Sequence, residues 1–524
     1  MNAIDQAISH IAPGWALRRQ RARHALAMHS AWSGASRTRP QLSGWDTWNS
    51  DADAELIYDL PTLRARSLDS YRNAPLAGGA IHVMDQSVIG TGLSLQPAID
   101  APALGWTDAQ VRQWTDTVKR RWRQWAETTD CDLTRATHFY RLQSTAFKSM
   151  LLSGDVFVVL TAARTPDGRD VPALQLIEAD RVSNPQGEMN STSLVAGVAL
   201  NARGQADAYW INRGHPGSIT DTDQKYIWDR LPAWSPDGQR RVIHLFDRLR
   251  PGQTRGVPWL APVLEHFKQL ARYTEAELQA AVVSGAFAMF LQIDPQAFQD
   301  LFAENPDSIK QYIDRAISWD GSYPQSSLTG PGKAVNLLPG ESVHDSNPGR
   351  PNDAFDPFVQ AIIRQIGSRL GIPFEVMIHH YTSSYSASRA ARLDAWSTFR
   401  VWRELVATQL CQPIYEYWLT WEVAQGRIEA PGFFADADLR RLYCEANWIG
   451  DGPGSINPKD DAAAAKLRVD MGISTLATES INHDGIEWEV KHAQRAKEVQ
   501  ARREAGLDEP LMPEDGMPAG QEAP

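Results

Sequence analysis

Residues 353–421 decide the fold, and they read DAFDPFVQAIIRQIGSRLGIPFEVMIHHYTSSYSASRAARLDAWSTFRVWRELVATQLCQPIYEYWLTW. Apolar side chains recur at spacings of three and four residues over Pro357–Leu370, which predicts a helix with one apolar face. Asp356 occupies the N-cap position, and the proline after it suits the first helical position. Gly371 and the proline two residues later predict where this helix ends.

A second helical run begins at Ser386, contains no glycine or proline before Pro413, and keeps its pattern to about Trp421. A helix of that length extends for about 50 Å. Its first turns carry small residues and its later turns carry large ones: Ala387, Ala390 and Ala391 against Trp396, Phe399 and Trp402. This change indicates one crowded end and one roomy end, as in a wedge-shaped subunit of a closed ring. The periodicity is also typical of an ordinary buried helical hairpin.

Residues 373–385 connect the two runs and predict a loop that exposes polar and aromatic groups. The loop includes His379, His380, Tyr381, Thr382 and Ser383. Two adjacent histidines without a third ligand nearby are a poor pair for a metal ion, so we expect no metal site there. A loop that faces solvent or DNA explains these residues better.

Charge and composition exclude several classes of function. The net charge of −11 is incompatible with a surface that grips nucleic acid throughout by its phosphates. It is compatible with an acidic wall around a duplex that slides. The 19 tryptophans imply large packed contacts within or between subunits. The cysteines Cys131, Cys411 and Cys444 form no zinc pattern or disulfide framework, and we find no apolar run of about 18 residues that predicts a membrane span.

Enzyme motifs are incomplete wherever they begin. The sequence GPGK at 330–333 lacks the first glycine of a phosphate-binding loop and the Ser or Thr that must follow the lysine. Asp155, Glu178 and Asp180 could form a metal or acid/base cluster, but the flanking apolar residues predict strands with solvent-facing ends. We therefore expect no catalytic residue, cofactor or metal. A hydrolase that uses Asp155, Asp180 and a histidine stays as an alternative.

The loop and the start of the second run together resemble a known family. The sequence GIP at 371–373, followed by YTSSYSASRAA at 381–391, resembles the late signature of the lambda-type portal proteins of tailed phages. Other phrases resemble the family in the same order: RNAP at 72–75, VIGTGL at 88–93, LSGDVF at 152–157, IEADR at 177–181 and WIGDGPGSINPKD at 448–460. The resemblance covers roughly residues 60–500.

The resemblance implies an α+β fold that is mainly α. This is the portal fold, with an α/β wing, a two-helix stem, a small α/β clip, a long helix behind a channel loop, and a helical crown. The implied division is a basic N-terminal arm (1–50), the wing (51–255), the first stem helix (256–291), the clip (292–352), the second stem helix (353–372), the channel loop (373–385), the long wing helix and its connection to the crown (386–458), the crown (459–505) and a disordered tail (506–524).

The resemblance also implies a structural function. The chain is expected to form a ring, probably a dodecamer, at one capsid vertex of the virion, and to occupy the host cytoplasm during assembly. Double-stranded DNA would pass through the ring without sequence-specific binding. The implied partners are the terminase large subunit, a head–tail adaptor protein, and the major capsid and scaffold proteins. Another ring-shaped head–tail adaptor is the second alternative, although such proteins are usually far shorter.

Five cations complete the predicted site. Lys268 and Arg272 lie on the first predicted stem helix, and Arg364 and Arg369 lie on the second. They either face phosphates in the channel or pair with acids of the next subunit; we favour pairing, because a strongly cationic lining would make DNA stick. Arg389 marks the start of the long helix.

Overall fold

The computed structural model describes residues 40–45, 47, 49–286, 290–293, 341–344, 354–381, 384–454, 457–486 and 488–507, together with Trp15, Asp307 and Lys310. Most of the predicted N-terminal arm, most of the clip, Thr382 and Ser383, and the predicted disordered tail from residue 508 lie outside this description.

The described residues form an α+β fold that is mainly helical, as the sequence predicts. The helices are α1 Ala52–Leu56, α2 Leu60–Asn73, α3 Pro75–Val88, α4 Ala101–Leu104, α5 Asp108–Ala126, α6 Phe139–Ser153, α7 Leu264–Ala286, α8 Phe355–Leu370, α9 Phe374–Met377, α10 Tyr385–Val406, α11 Gln412–Ala424, α12 Ala437–Tyr443, α13 Pro458–Asp470, α14 Leu476–Asp484 and α15 Trp488–Glu504. The strands are β1 Ser94–Pro97, β2 Asp155–Arg164, β3 Asp170–Glu178, β4 Leu194–Val195, β5 Val198–Leu200, β6 Ala206–Asn212, β7 Trp228–Pro232, β8 Val242–Phe246, β9 Phe290–Ile293, β10 Glu341–His344 and β11 Ala446–Ile449.

Two antiparallel sheets form the β part of the predicted wing. One has the order β3-β2-β8, and the other has the order β4-β5-β6-β7. A small core that includes Phe157, Ile177, Val198 and Tyr209 joins residues of both sheets. The predicted hairpin is confirmed, because β2 pairs with β3 from Val156 opposite Glu178 to Arg164 opposite Asp170.

The main core lies between helices α3, α5, α6, α10 and α11. Trp122 is at the centre of an aromatic cluster, with the ring centroids of five neighbours 4.9–5.9 Å away: Trp125, Phe139, Tyr415, Trp418 and Trp448. These side chains belong to α5, α6, α11 and β11, which are far apart in sequence. Much of the tryptophan content therefore packs within one subunit.

The long helix is continuous but contains one wider segment. Helix α10 passes into a π-helical turn, Ala407–Cys411, and then into α11. The N–H of Gln412 donates to the carbonyl of Ala407, five residues back. Pro413, one residue later, cannot donate a backbone hydrogen bond, and its ring would contact the carbonyl four residues back in a regular α-helix. The wider turn accommodates this proline without breaking the helix.

Three sequence-based predictions of local structure need correction. The single helix predicted over residues 60–87 is two helices, because Pro75 begins a new one and holds Ala74 in an extended conformation. The loop predicted over residues 373–385 contains the one-turn helix α9. The segment 473–485 is the helix α14, and Gly485 ends it with a φ of +74°.

Candidate functional site

Helices α7 and α8 lie side by side, as two stem helices must. Leu264, Phe267 and Leu270 of α7 are buried in the same core as Ile363 and Ile366 of α8. Further along, the ring of Tyr273 stacks on Phe355 at 5.6 Å and meets the edge of Phe358 at 5.2 Å. Contacts along more than two turns fix the relative position of the two helices.

All four cations predicted on the stem helices are exposed: Lys268, Arg272, Arg364 and Arg369. Within the described part of the chain, no carboxylate oxygen lies within 4 Å of their nitrogen atoms. Arg364 instead donates to the side chain of Gln360 at 2.8 Å, and its guanidinium lies 5.2 Å from the ring centre of Phe374. The subunit by itself therefore leaves these charges available to a neighbour or to a ligand.

The segment after α8 combines a fixed base with exposed residues. Val376 and Met377 of α9 are buried, and the backbone N–H of His380 donates to the carbonyl of Glu375 at 3.1 Å. His379 has a φ of +53°, a conformation uncommon for residues other than glycine. His379, His380 and Tyr381 are exposed, and Tyr381 keeps 46% of its accessible surface. The described chain thus presents these three side chains from a short, well-packed support.

The start of the long helix contacts the predicted crown. Arg389 forms an ion pair with Asp461 of α13 at 3.0 Å, and Arg392 donates to the carbonyl of Pro453 at 2.8 Å. These residues line a cleft of about 530 Å³ together with His379 and Tyr381. Arg389 therefore connects the long helix to the crown next to the exposed loop.

Two glycine-containing turns dock on each other beside this cleft. The carboxylate of Asp451 accepts hydrogen bonds from the backbone N–H and the hydroxyl of Thr91, at 2.9 and 3.0 Å. Gly90 has a φ of +58°, and a Cβ atom there would lie 2.2 Å from an oxygen of Asp451. Arg403 of the long helix donates to the carbonyls of Ser87 and Val88 at the end of α3. Burial lowers the pKa of Arg403, and the nearby carboxylate of Asp451 offsets part of this effect.

The interpretation of Asp155 as a solvent-facing strand end is wrong. Its side chain is fully buried and accepts hydrogen bonds from Arg255 at 2.6 and 3.1 Å, from Arg64 at 2.9 Å, and from the N–H of Gly256 at 3.2 Å. Nε2 of His244 lies 3.1 Å from the same carboxylate. Burial raises the pKa of Asp155, but the two arginines more than compensate and hold the pKa well below its usual range.

Asp180 and Glu178 do not complete a catalytic cluster with Asp155. Asp180 pairs with Arg64 at 3.1 Å, so it neutralises a second arginine of the same network. Glu178 is exposed on the side chain and lies near His215 instead. Arg255 and Arg64 occupy the positions around Asp155 that a substrate or metal would need. The network therefore stabilises the wing, and the hydrolase alternative loses its proposed acid/base pair.

Sequence reasoning missed Arg64, His244 and Arg255, because they come from α2, β8 and the segment before α7. No short-range spacing connects them. The available signal was Asp155 itself, an acid placed between Gly154 and a run of five apolar residues. A carboxylate in such a position needs buried cationic partners.

Other chemistry also finds no place among the described residues. They contain no group of three or more His, Cys, Asp or Glu side chains arranged to hold a metal ion. Cys131, Cys411 and Cys444 are buried free thiols, and burial raises the pKa of Cys131 and of Cys444 to about 12. In the same part of the chain, no helix has the length and hydrophobicity needed to cross a membrane.

Comparison with known proteins gives the family. The model of the family described as "Phage portal protein, lambda family" matches residues 38–403 of the chain. The chain belongs to this family. Membership overturns the alternative of a separate, shorter head–tail adaptor and gives the protein a structural role rather than an enzymatic one.

Individual relatives agree over almost the whole length. Portal protein B of Escherichia phage lambda is 26% identical over 483 residues, covering 90% of this chain and 89% of its own. The portal protein of Escherichia phage N15 is 26% identical over 495 residues, covering 92% of each chain. A solved chain in the virion of a native gene transfer agent particle is 14% identical, with a TM-score of 0.43, over 76% of this chain and 95% of its own.

As a phage portal protein, the chain has the portal fold and belongs to the capsid vertex of a virion. It self-associates there as the connector between capsid and tail. The boundaries of wing, stem, clip and crown, and the roles of individual loop and stem residues, remain predictions.

Proposed function

We propose that twelve copies of this portal protein form a ring whose central channel is lined by α7 and α8. The observation that carries the proposal is the direct packing of these two helices with their cationic residues exposed. Leu264, Phe267, Ile363 and Ile366 hold the pair against the wing. The opposite faces, with Lys268, Arg272, Arg364 and Arg369, are then free to form the channel wall or the contact between subunits.

The predicted crown supports the same assembly. Helices α13, α14 and α15 contain no buried residue in the single subunit. Leu467, Met471, Ile473 and Leu476 expose 54–68% of their surface. Exposed apolar side chains on packed helices favour a further partner, and neighbouring crowns of the same ring supply one.

Within the ring, the exposed loop touches or gates the duplex. His379, His380 and Tyr381 project from the buried base of α9, so their position relative to the channel wall is fixed. Thr382 and Ser383 continue the same loop in sequence. The −11 charge of each chain disfavours tight, general binding of phosphate, so DNA passes without sequence-specific contacts.

The ring takes its partners in sequence. During assembly in the host cytoplasm it joins the scaffold and major capsid proteins, then binds the terminase large subunit during packaging, and later the head–tail adaptor. The region predicted as the clip, 292–352, would bind the terminase and the adaptor. The motor supplies the energy for DNA movement, since the portal chain carries no nucleotide-binding motif.

Electron microscopy of the purified protein tests the ring directly. We expect closed rings with a central hole wide enough for a duplex and with α7 and α8 on its wall. Compact monomers at micromolar concentration, or rings with both helices away from the hole, would contradict the proposal.

A loop variant tests the contact with DNA. Glycine at positions 379–383 should leave the ring intact but change packaging efficiency or genome retention in an assembly assay. The matched control is glycine at exposed positions 202 and 203 of the wing. Unchanged packaging and retention in the loop variant would remove the proposed role.

A further inference from the structure

A second cleft, of about 300 Å³, lies where the wing meets the end of α8 and the long helix. Its wall includes the apolar side chains of Leu249, Val257, Trp259 and Trp402, and the charged residues Asp247 and Arg369. An open apolar wall with a carboxylate in it suits a segment that carries both apolar and cationic residues.

Asp247 is the unusual group in this cleft. It is half-buried, and within the described residues it has no hydrogen bond to its side chain and no ion pair. Burial raises its pKa, and no nearby cation offsets that effect. Arg369 lines the same cleft, but its nitrogen atoms are not within 4 Å of the carboxylate. A half-buried carboxylate without a partner is unfavourable, so a cation from another segment would stabilise it.

The start of the chain is held close to this cleft. Arg250 follows Leu249 and donates to the carbonyl of Ser50 at 2.9 Å and to Glu55 at 2.6 Å. Asp53 accepts hydrogen bonds from the N–H and the hydroxyl of Thr254, at 2.8 and 2.5 Å. Residues 50–55 are therefore fixed beside one rim of the cleft.

The residues before this point have the required chemistry. Residues 1–39 contain six arginines and a single acid, Asp5, in a protein of net charge −11. Trp15, the only residue of this segment that the structure describes, exposes 73% of its surface. Arg39 precedes Ser50 by eleven residues, which span at most about 40 Å. Arginines of the segment are therefore within reach of Asp247.

We propose that the arginine-rich segment of residues 1–39 binds in this cleft of its own subunit, with one arginine paired with Asp247. The apolar wall would take the aliphatic and aromatic side chains of the segment, and the ion pair would fix its position. The proposal concerns a contact within one chain, so it does not depend on the ring or on DNA.

Limited digestion with trypsin tests the proposal in the full-length assembled protein. We compare cleavage at the six arginines in the wild type, in Asp247→Asn and in Glu188→Gln, by mass spectrometry of the released peptides. Glu188 is an exposed acid of the wing, so its variant loses the same charge away from the cleft. We expect Asp247→Asn to accelerate cleavage in residues 1–39 by roughly tenfold and Glu188→Gln to leave it unchanged. Equal rates in all three proteins, or acceleration in both variants, would overturn the proposal.

Disulfide trapping gives an independent result that does not depend on the stability of the Asp247 variant. Cysteine replaces Arg23, Arg37 or Arg39, each combined with Leu249→Cys, where the leucine is 58% exposed. The control combines the same positions with Ile219→Cys, which is 91% exposed on the wing. The three native thiols are buried and give little background. We expect cross-links within single chains for Leu249→Cys and none for Ile219→Cys. Chain-to-chain ladders, or no cross-link from any of the three positions, would overturn the assignment.

Discussion

Arg255 holds the carboxylate of Asp155 with two hydrogen bonds, at 2.6 and 3.1 Å, where neither side chain contacts solvent. The same guanidinium donates to the carbonyls of Ala179 and Val182. Because Asp155 begins β2 and Arg255 lies just before the first stem helix, this pair joins the wing to the predicted stem.

Breaking this pair should destabilise the subunit strongly. Arg255→Met leaves the buried carboxylate with one cation fewer, a loss that typically costs about 3–5 kcal/mol of the free energy of unfolding. Denaturant unfolding of the dissociated subunit measures the effect. The matched control is Arg230→Met, which breaks the exposed pair with Asp207 and should cost less than about 1 kcal/mol. Similar losses in both variants would contradict the stabilising role of the network.

The same network predicts a loss of stability in mild acid. Burial lowers the pKa of His244 below its usual 6.5, while the unfolded chain keeps the ordinary value. Arg64, Arg255 and Asp155 are the charged groups around the imidazole, and Phe157 and Phe246 stack on its two sides. Protons therefore bind the unfolded state more strongly, so this contribution to stability is complete above about pH 6.5 and decreases as the pH falls below it.

The measurement for that prediction is the melting temperature at pH 7.5 and at pH 5.5. His244→Gln should reduce the difference between the two values, because the amide cannot take up a proton in this range. The variant His215→Gln, at an exposed histidine of the wing, is the control. A wild-type melting temperature that does not decrease from pH 7.5 to pH 5.5 would refute the prediction.

Gly90→Ala should disturb the contact between the two glycine-containing turns. The new Cβ would lie 2.2 Å from an oxygen of Asp451, and the φ of +58° is unfavourable for alanine. We expect a destabilisation of roughly 1–3 kcal/mol, part of which should disappear in Gly90→Ala combined with Asp451→Ala. Gly105→Ala is the control, because its φ is also positive but no atom lies within 4 Å of its Cβ position.

Charge reversal on the stem should distinguish contact between subunits from contact with DNA. If Arg364 pairs with an acid of the next subunit, Arg364→Glu should reduce the fraction of closed rings at low salt, and the difference should shrink as salt increases. Native mass spectrometry over a salt series measures this fraction. Arg203→Glu, on an exposed loop of the wing, is the control. Normal rings with altered packaging would instead place Arg364 on the channel wall.

Local patterns predicted the elements of the fold well where one face is apolar. Strand β8 has the predicted bounds, Val242–Phe246, and α8 begins two residues before the predicted Pro357. Strands β1 and β11 were not predicted, because they are short and are defined mainly by pairing with each other across about 350 residues, with Ser94 opposite Ile449. Sequence alone has no signal for such a pairing.

The candidate site was predictable only in part, for a related reason. The loop residues His379, His380 and Tyr381 follow from their place between two helical runs, and the structure places all three on the surface. The partners of Asp155 come from three distant segments, so only the folded chain brings them together. The orientation of the stem cations depends on neighbouring copies, which one chain cannot determine.

The π-helical turn Ala407–Cys411 changes what the long helix presents along its length. One extra residue in a turn rotates every later side chain by about 100° relative to an uninterrupted α-helix. The half that carries Arg389 and Arg392 can therefore address the loop and the crown, while the half that carries Tyr415 and Trp418 turns toward the tryptophan cluster. Removing a single residue from this turn would reset that rotation and force one of the two halves out of alignment with its neighbours.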